Sequence, residues 1–172
     1  MSYSTIEIAE KATKLIEKWG TYDPYEFAES SGIYILKRNF KKQKGAYKVI
    51  LNNRFIFINE NLDPIMENIV FWHEIAHDVL HRSEAVSAGG FQEFNIFDMR
   101  KNRMEYEANV FAAQVTLDDN EILEYILKGY DIQQVAQIMN SDINLVALKV
   151  DILISQGYDL RSQEHRSDFL KF

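Results

Sequence analysis

Hydrophobic positions along the chain follow a helical period at both ends and a strand pattern in between. Residues 4–18 carry apolar side chains at helical spacing, and Gly20 follows them as a stop signal. A turn at Asp23 and Pro24 precedes a second, shorter helix over residues 25–30. After the strands, the pattern is helical almost to the end of the chain. The last predicted helices cover residues 119–128, 132–139 and 143–156.

Short runs of β-branched and aromatic residues predict three strands in the middle of the amino-terminal half. The runs cover residues 33–36, 47–51 and 55–58, and turn-forming residues separate them at Gly45 and at Asn52-Asn53. Strands followed by a series of helices are typical of an α+β domain. The pattern therefore predicts an α+β fold with a small three-stranded sheet, a long helix after it and a helical carboxyl-terminal region.

Length, charge and residue usage exclude several classes of protein. With 172 residues, the chain is expected to form one domain with at most a small extension. The net charge of -7 has the wrong sign for a general binder of nucleic acids or anionic membranes. The absence of cysteine excludes disulfides and thiol catalysis. Because the amino terminus lacks a secretory layout and no uncharged stretch could span a membrane, we expect a cytoplasmic protein.

The most informative motif is H-E-x-x-H at residues 73–77. It lies in a predicted helix that starts near Asp63, a residue suited to capping the first turn. Residues four apart share one face of a helix, so the imidazoles of His73 and His77 can bind the same metal ion. Glu74 is rotated aside and faces a water on that ion, which is the position of a general base.

A catalytic zinc site needs a third protein ligand and one open position. His81 continues the helical face, but at about 1.5 Å rise per residue it lies about 12 Å from His73, too far to share the ion. We expect His81 to be structural or to support a ligand. His165 lies in a polar tail and is a weak candidate. The better source is the helical segment 104–116, which could pack against the metal helix.

Glu105 and Glu107 are the two carboxylates of that segment. Because they are about 200° apart on a helix, only one of them can face the metal. The face of Glu105 carries small residues that allow close helix approach, and Asn109 one turn along can hold a metal-bound histidine by a hydrogen bond. The residues therefore favour Glu105 as the third ligand and predict that Glu107 is exposed or caps the helix.

These two helices resemble those of the ImmA/IrrE family of zinc metallo-endopeptidases. The match is carried by residues 73–77, by Leu80-His81 behind them, and by residues 105–113, which read EYEANVFAA. The resemblance covers about residues 22–119, and the carboxyl-terminal third matches more loosely.

The resemblance implies a minimal zincin-like domain in which His73, His77 and Glu105 hold one Zn2+ ion and Glu74 is the catalytic base. It implies an endopeptidase that acts on a DNA-binding repressor in phage, mobile-element or stress regulation. The domain divisions that we expect are residues 1–118 for the metallopeptidase domain, 119–158 for a helix-turn-helix-like extension packed on it, and 159–172 for a polar tail.

The expected chemistry also needs a group that stabilises the oxyanion. Glu74 would take a proton from the activated water and later pass it to the leaving amine. A further hydrogen-bond donor to the oxyanion is expected, and several residues are open for that role. They are Tyr47, Tyr106, Arg100 and Arg103. The sequence does not indicate an oligomeric state.

Two other functions fit parts of the sequence. A regulatory protein could keep the zinc helix and bind a repressor without hydrolysing it. Direct DNA binding could use the helix pair over residues 132–156, whose turn falls at Asp142-Ile143. The second helix of that pair carries Lys149 as its one basic residue and is otherwise typical of a core helix, so nucleic-acid binding is not favoured.

The sequence also supports a prediction for each of three further segments. A basic cluster around a predicted hairpin favours a sheet edge protected by lysines over a docking site for an acidic segment or phosphates. Its members are Lys37, Arg38, Lys41, Lys42, Lys44 and Lys48. Residues 55–59 are the predicted edge strand that would align an extended substrate. Residues 84–101, rich in Gly and Phe, are predicted to form a long irregular connection that either caps the core or acts as a lid.

Overall fold

The computed structural model describes residues 3–87 and 99–162, the second range without the side chains of residues 99–102. Seven helices and three strands follow one another in these ranges. They are α1 (Thr5–Trp19), α2 (Pro24–Ser30), β1 (Ile33–Arg38), β2 (Gly45–Ile50), β3 (Asn53–Asn59), α3 (Pro64–Ser87), α4 (Met99–Thr116), α5 (Asp119–Leu127), α6 (Ile132–Ile138) and α7 (Ile143–Ser155). This order confirms the predicted α+β fold with its helical carboxyl-terminal region.

Local capping signals set the limits of the two amino-terminal helices. Ser4 and Glu7 form a capping box at the start of α1, and Gly20 ends that helix in the left-handed conformation with φ at 69°. Asp23 accepts backbone hydrogen bonds at the start of α2, where Pro24 occupies the first turn. Helix α1 packs against α4, and α2 packs against β1 and α3.

The strands form one sheet in the order β1-β3-β2, with β1 parallel and β2 antiparallel to β3. The prediction that residues 55–59 form an edge strand is wrong, because they belong to β3, which is paired on both sides. The uninterrupted apolar run in β3 is typical of a central strand, and β1 and β2 are the edges. A tight turn joins β2 to β3, and its residues Leu51 and Asn52 both have positive φ, 49° and 62°.

Half of the basic cluster lies on the edge strands of the sheet, and Lys41, Lys42 and Lys44 lie in the connection between β1 and β2. The cluster does not surround a hairpin as predicted, because β1 and β2 lie on opposite sides of β3. Lys37 belongs to β1 and pairs with Glu67 of α3 at 3.0 Å, whereas Lys48 belongs to β2. Lysines on both edge strands fit the protective role, which stays a prediction.

Helices α3 and α4 form the centre of the molecule and pack against each other. Asp63 caps α3 by accepting hydrogen bonds from the backbone N–H groups of Ile65 and Met66. Residues 69–78 of α3 and 107–113 of α4 are buried. The sheet covers α3 and α1 covers α4, so these two helices are held from several sides.

The last three helices complete the core. Their amino termini are capped by Asp118, Asp131 and Asp142. Residues 145–150 of α7 are buried, and α7 packs against α4, α6 and α1. This confirms that the second helix of the helix-turn-helix-like pair belongs to the core. The division of the chain at residues 118 and 158 stays a prediction.

Two predicted segments lie partly outside the described residues. The connection predicted over residues 84–101 is helical at both ends, and its remaining residues 88–98 are not described. Residues 163–172 of the predicted tail are not described either. Within the described ranges, no helix combines the length and the hydropathy that a membrane span requires.

Candidate metal centre

Two imidazoles meet on a buried face of α3. His73 and His77 lie about one helical turn apart, and their Nε2 atoms are 3.2 Å from each other. Both side chains are buried. The neighbouring side chains of Phe71, Trp72 and Ile75 are fully buried in the core, so the backbone that carries the two rings is fixed by packing.

Glu105 of α4 brings a carboxylate to these imidazoles. Its Oε2 atom lies 3.2 Å from His73 Nε2, and its Oε1 atom lies 3.8 Å from His77 Nε2. One ligand atom from each of the three residues lies within 4.8 Å of the others. The structure therefore places the favoured glutamate beside both histidines.

Glu107 is buried, so the prediction of an exposed or capping residue is wrong. Its Oε2 atom lies 2.9 Å from His81 Nε2, and its Oε1 atom accepts a hydrogen bond from Arg103 Nε at 2.8 Å. Only 2% of Glu107 is exposed. The composition of the helix face could not show this, because the partner that keeps Glu107 inside comes from α3.

His81 connects Glu107 to the face of α3 that carries His73 and His77. Its Nδ1 atom lies 3.0 Å from Nδ1 of His77, and its side chain is buried. The backbone of α3 leaves helical geometry at this residue, with φ at -126° and ψ at 17°. Burial lowers the pKa of His81 despite its hydrogen bond to Glu107. His81 thus contacts a member of the cluster without joining it, as its distance along the helix predicts.

Glu74 lies between α3 and the edge strand β2. Its carboxylate accepts a hydrogen bond from the backbone N–H of Tyr47, and Gly45 leaves the space beside it. Burial raises the pKa of Glu74 to about 8, against the lowering effect of His73. At a pKa of about 8 the carboxyl group is mostly protonated at neutral pH, and a cation held by His73, His77 and Glu105 would lower that pKa and favour the carboxylate that a general base requires.

The pKa of His73 reflects the acids around it. Burial lowers this pKa, but the hydrogen bond to Glu105 and the charges of Glu105 and Glu74 outweigh burial and raise it overall. The side chain of Asn109 also raises the pKa of His73. Asn109 is buried on α4 and lies close enough to His73 to shift its pKa, beside a histidine of the cluster as the sequence predicts.

Asp78 of α3 forms hydrogen bonds with residues of the sheet. This role is not among those predicted from the sequence. Its carboxylate accepts hydrogen bonds from the Tyr47 hydroxyl at 2.6 Å, from Arg54 Nη1 at 2.9 Å and from Arg82 Nη2 at 2.6 Å. Burial and the bond to Asp78 raise the pKa of Tyr47 above its ordinary value. The signal in the sequence is an acid directly after the second histidine, within a stripe of buried positions. Sequence reasoning also missed Gly45, which nothing in a strand pattern marks as a neighbour of Glu74.

The described candidates for an oxyanion donor are engaged elsewhere. The Tyr47 hydroxyl donates to Asp78, and the Tyr106 hydroxyl lies 3.4 Å from Thr5 Oγ1. Arg103 pairs with Glu107. The side chain of Arg100 lies outside the described residues.

The donor set at this site fits a divalent metal ion. Two imidazole nitrogens and a carboxylate oxygen are ligands that such ions accept. Packing two acids and two imidazoles closely in a buried site is costly unless a positive charge compensates the acids. Glu74 does not belong to the ligand cluster but lies beside it, as its position in the motif predicts.

Comparison with known proteins agrees with this geometry. Residues 28–148 match the model of peptidase family M78, described as the IrrE N-terminal-like domain. The metallopeptidase ImmA of Bacillus subtilis strain 168 is 31% identical over 143 residues, which cover 80% of each chain. An uncharacterised immunity region protein 2 of Bacillus phage phi105 is 30% identical over 148 residues, which cover 86% of this chain and 90% of the phage protein. The chain therefore belongs to the M78 family of metallopeptidases and carries its IrrE N-terminal-like domain.

Proposed function

We propose that the protein is a zinc-dependent endopeptidase that cleaves a DNA-binding transcriptional repressor. The observation that carries the peptidase part is the convergence of His73, His77 and Glu105 with the buried carboxyl group of Glu74 beside them. Two histidines and one glutamate leave one position of a tetrahedral ion free for water or substrate, which a catalytic site needs.

The distances within the cluster support zinc as the ion. Zinc–ligand bonds of about 2.0–2.1 Å in a tetrahedron place the ligand atoms about 3.3 Å apart. The measured separations are 3.2 Å between the two Nε2 atoms, 3.2 Å from His73 to Glu105 and 3.8 Å from His77 to Glu105. One Zn2+ ion per chain is therefore the proposed cofactor.

The proposed roles follow from where each side chain lies. When bound, zinc would supply a Lewis acid that polarises the scissile carbonyl and makes water a better nucleophile at neutral pH. Glu74 takes a proton from the attacking water and delivers it to the leaving amine. The Tyr47 N–H holds the Glu74 carboxylate by a hydrogen bond, and Gly45, which has no Cβ, leaves room for that carboxylate. Strand β2, which is an edge strand and touches α3, is the proposed guide for an extended substrate.

The proposed substrate class rests on the relatives. One of them is named a metallopeptidase and another an immunity region protein of a phage, which supports regulation of a phage or mobile element. A helix-turn-helix repressor is the proposed protein substrate, and we propose a cytoplasmic location because such a substrate acts there. We propose no direct nucleic-acid contact, because α7 is buried in the core and the chain has a net charge of -7.

The test is cleavage by the purified, zinc-loaded chain. Candidate repressors and a proteome-derived peptide library are incubated with the wild type and with Glu74→Gln, and new amino termini are identified by mass spectrometry. We expect internal cleavage by the wild type and a loss of about 100-fold or more in Glu74→Gln, with zinc retained in both. Equal cleavage by the two proteins would remove Glu74 from its proposed role. A repressor that binds the wild type and stays intact would favour a regulatory protein without hydrolysis.

A further inference from the structure

A chain of buried hydrogen-bonding groups leads from the proposed metal site to helix α4. His77 Nδ1 lies 3.0 Å from His81 Nδ1, and His81 Nε2 lies 2.9 Å from Glu107 Oε2. Within the described ranges, the other oxygen of Glu107 accepts from two donors, Arg103 Nε at 2.8 Å and the backbone N–H of Tyr3 at 3.4 Å. His77, His81 and Glu107 are each at least nine-tenths buried, so water does not replace these partners.

The positions of the protons along the series His77, His81 and Glu107 follow from the hydrogen bonds at Glu107. Glu107 is surrounded by donors, so its carboxylate accepts and His81 Nε2 must carry the hydrogen. In a neutral imidazole the other nitrogen is then an acceptor, so His81 Nδ1 accepts from His77 Nδ1–H. This leaves the lone pair of His77 on Nε2, the atom that faces His73 and Glu105.

The reverse arrangement is unfavourable for two reasons. If His81 Nδ1 donated to His77, His81 Nε2 would present a lone pair to the Glu107 carboxylate at 2.9 Å. Two acceptors at that distance in a buried site repel each other. His77 would also carry its hydrogen on Nε2 and could not offer that atom to a metal ion.

We propose that His81 and Glu107 are positioning residues, which fix the tautomer and the ring orientation of His77 so that Nε2 is held ready for the metal ion. The proposal rests on the metal site proposed for the peptidase. A ligating histidine commonly donates its second N–H directly to a carboxylate or carbonyl. In this protein a second histidine, His81, lies between the proposed ligand His77 and the carboxylate of Glu107. The helix leaves helical geometry at His81, the residue that contacts both of them.

The first experiment compares zinc affinity in Glu107→Gln and Arg103→Gln by competition with a chromogenic chelator. Gln has the shape of Glu, but its amide can donate to His81 and permits the reverse arrangement. We expect Glu107→Gln to bind Zn2+ about 10- to 100-fold more weakly than the wild type. Arg103→Gln removes one donor from the far oxygen of Glu107 but keeps the Tyr3 N–H and the His81–Glu107 bond, so its affinity should fall much less than that of Glu107→Gln. Equal losses in both variants, or no loss in Glu107→Gln, would overturn the proposal.

The second experiment needs no metal and no variant. Side-chain nitrogen NMR of the metal-free wild type, at about two pH units above the ordinary histidine pKa, reports which ring nitrogen of each imidazole carries the hydrogen. We expect hydrogen on Nδ1 of His77 and on Nε2 of His81. Hydrogen on Nε2 of His77 would overturn the positioning role even if zinc binds. If instead the tautomers are as expected but the wild type binds no Zn2+, the proposed metal site fails, and the positioning role fails with it.

Discussion

Gly45 leaves the space that the carboxylate of Glu74 occupies, because a Cβ atom at position 45 would lie 2.7 Å from Glu74 Oε1. The same atom would lie 2.7 Å from Val70 Cγ1, so it would press on the helix as well as on the acid. The backbone of β2 thus approaches α3 at Glu74, the residue proposed as the base.

Gly45→Ala should therefore lower peptidase activity with little effect on zinc content. A displacement of about 1 Å at a reacting group can cost about 100-fold in rate, and we expect a loss of roughly 10- to 100-fold in kcat. Steady-state kinetics on a cleaved repressor, together with metal analysis, measure this. Glu121→Gln, at an exposed position of α5 outside the proposed substrate strand, should keep wild-type kinetics. Unchanged kinetics in Gly45→Ala would show that Glu74 needs no such space.

Removal of a proposed ligand should empty the metal site. In His73→Ala or Glu105→Ala only two protein ligands remain, and we expect metal content to fall from about one zinc ion per chain to nearly none after dialysis. Mass spectrometric metal analysis of the purified proteins gives the result, with the exposed Glu121→Gln as control. Stoichiometric zinc in His73→Ala would point to a different site.

Loss of Asp78 should destabilise the fold. Asp78→Ala would leave the Tyr47 hydroxyl and Arg54 without their buried acceptor, and we expect the free energy of unfolding to fall by roughly 3 kcal/mol. Arg82 is half exposed, so Arg82→Gln should cost less than about 1 kcal/mol. Denaturant unfolding of the three proteins measures both effects. Similar costs for the two variants would argue against a buried role for Asp78.

Lys149 should make stability depend on pH in the alkaline range. Its side chain is fully buried, its Nζ donates to Gln114 Oε1 at 2.7 Å, and it pairs with Asp119. Burial lowers its pKa below 10.5, although Asp119 opposes the shift. Between the lowered folded pKa and 10.5 the unfolded chain holds more protons than the folded chain, so this group makes stability rise with pH up to 10.5.

Lys149→Met should remove that contribution. The free energy of unfolding of the wild type, measured by denaturant at several alkaline pH values, should rise more steeply with pH than that of the variant. Parallel pH profiles would show that Lys149 keeps an ordinary pKa in the folded state. Because Met fills similar space without a buried charge, the variant should remain folded at neutral pH.

The parts of the molecule that follow from local chemistry could be predicted from the sequence. Gly20 ends α1 and Asp63 caps α3 where the sequence places these signals, because helix termination and capping depend on neighbours a few residues away. The H-E-x-x-H spacing likewise predicts that His73 and His77 meet, since four residues make about one helical turn. The choice of Glu105 over Glu107 as the residue beside them followed from the small residues on its helix face.

The parts that depend on contacts between distant segments could not be predicted. The central position of residues 55–59 does not follow from the sequence, because nothing in them shows that β1 will pair on one side and β2 on the other. Glu107 was expected at the surface because its partner His81 lies 26 residues earlier. Gly45 and Asp78 gain their importance from the packing of the sheet on α3, which a period of hydrophobic residues does not specify.

Tyr47 holds α3 twice, through its backbone N–H to Glu74 and through its hydroxyl to Asp78. A slip of β2 by one residue along β3 would turn this side chain to the other face of the sheet and withdraw both bonds at once. Correct registration of a three-stranded sheet is thus a condition for assembling the proposed base. A chain whose strands pair in the wrong register could keep most of its helices and still lack peptidase activity.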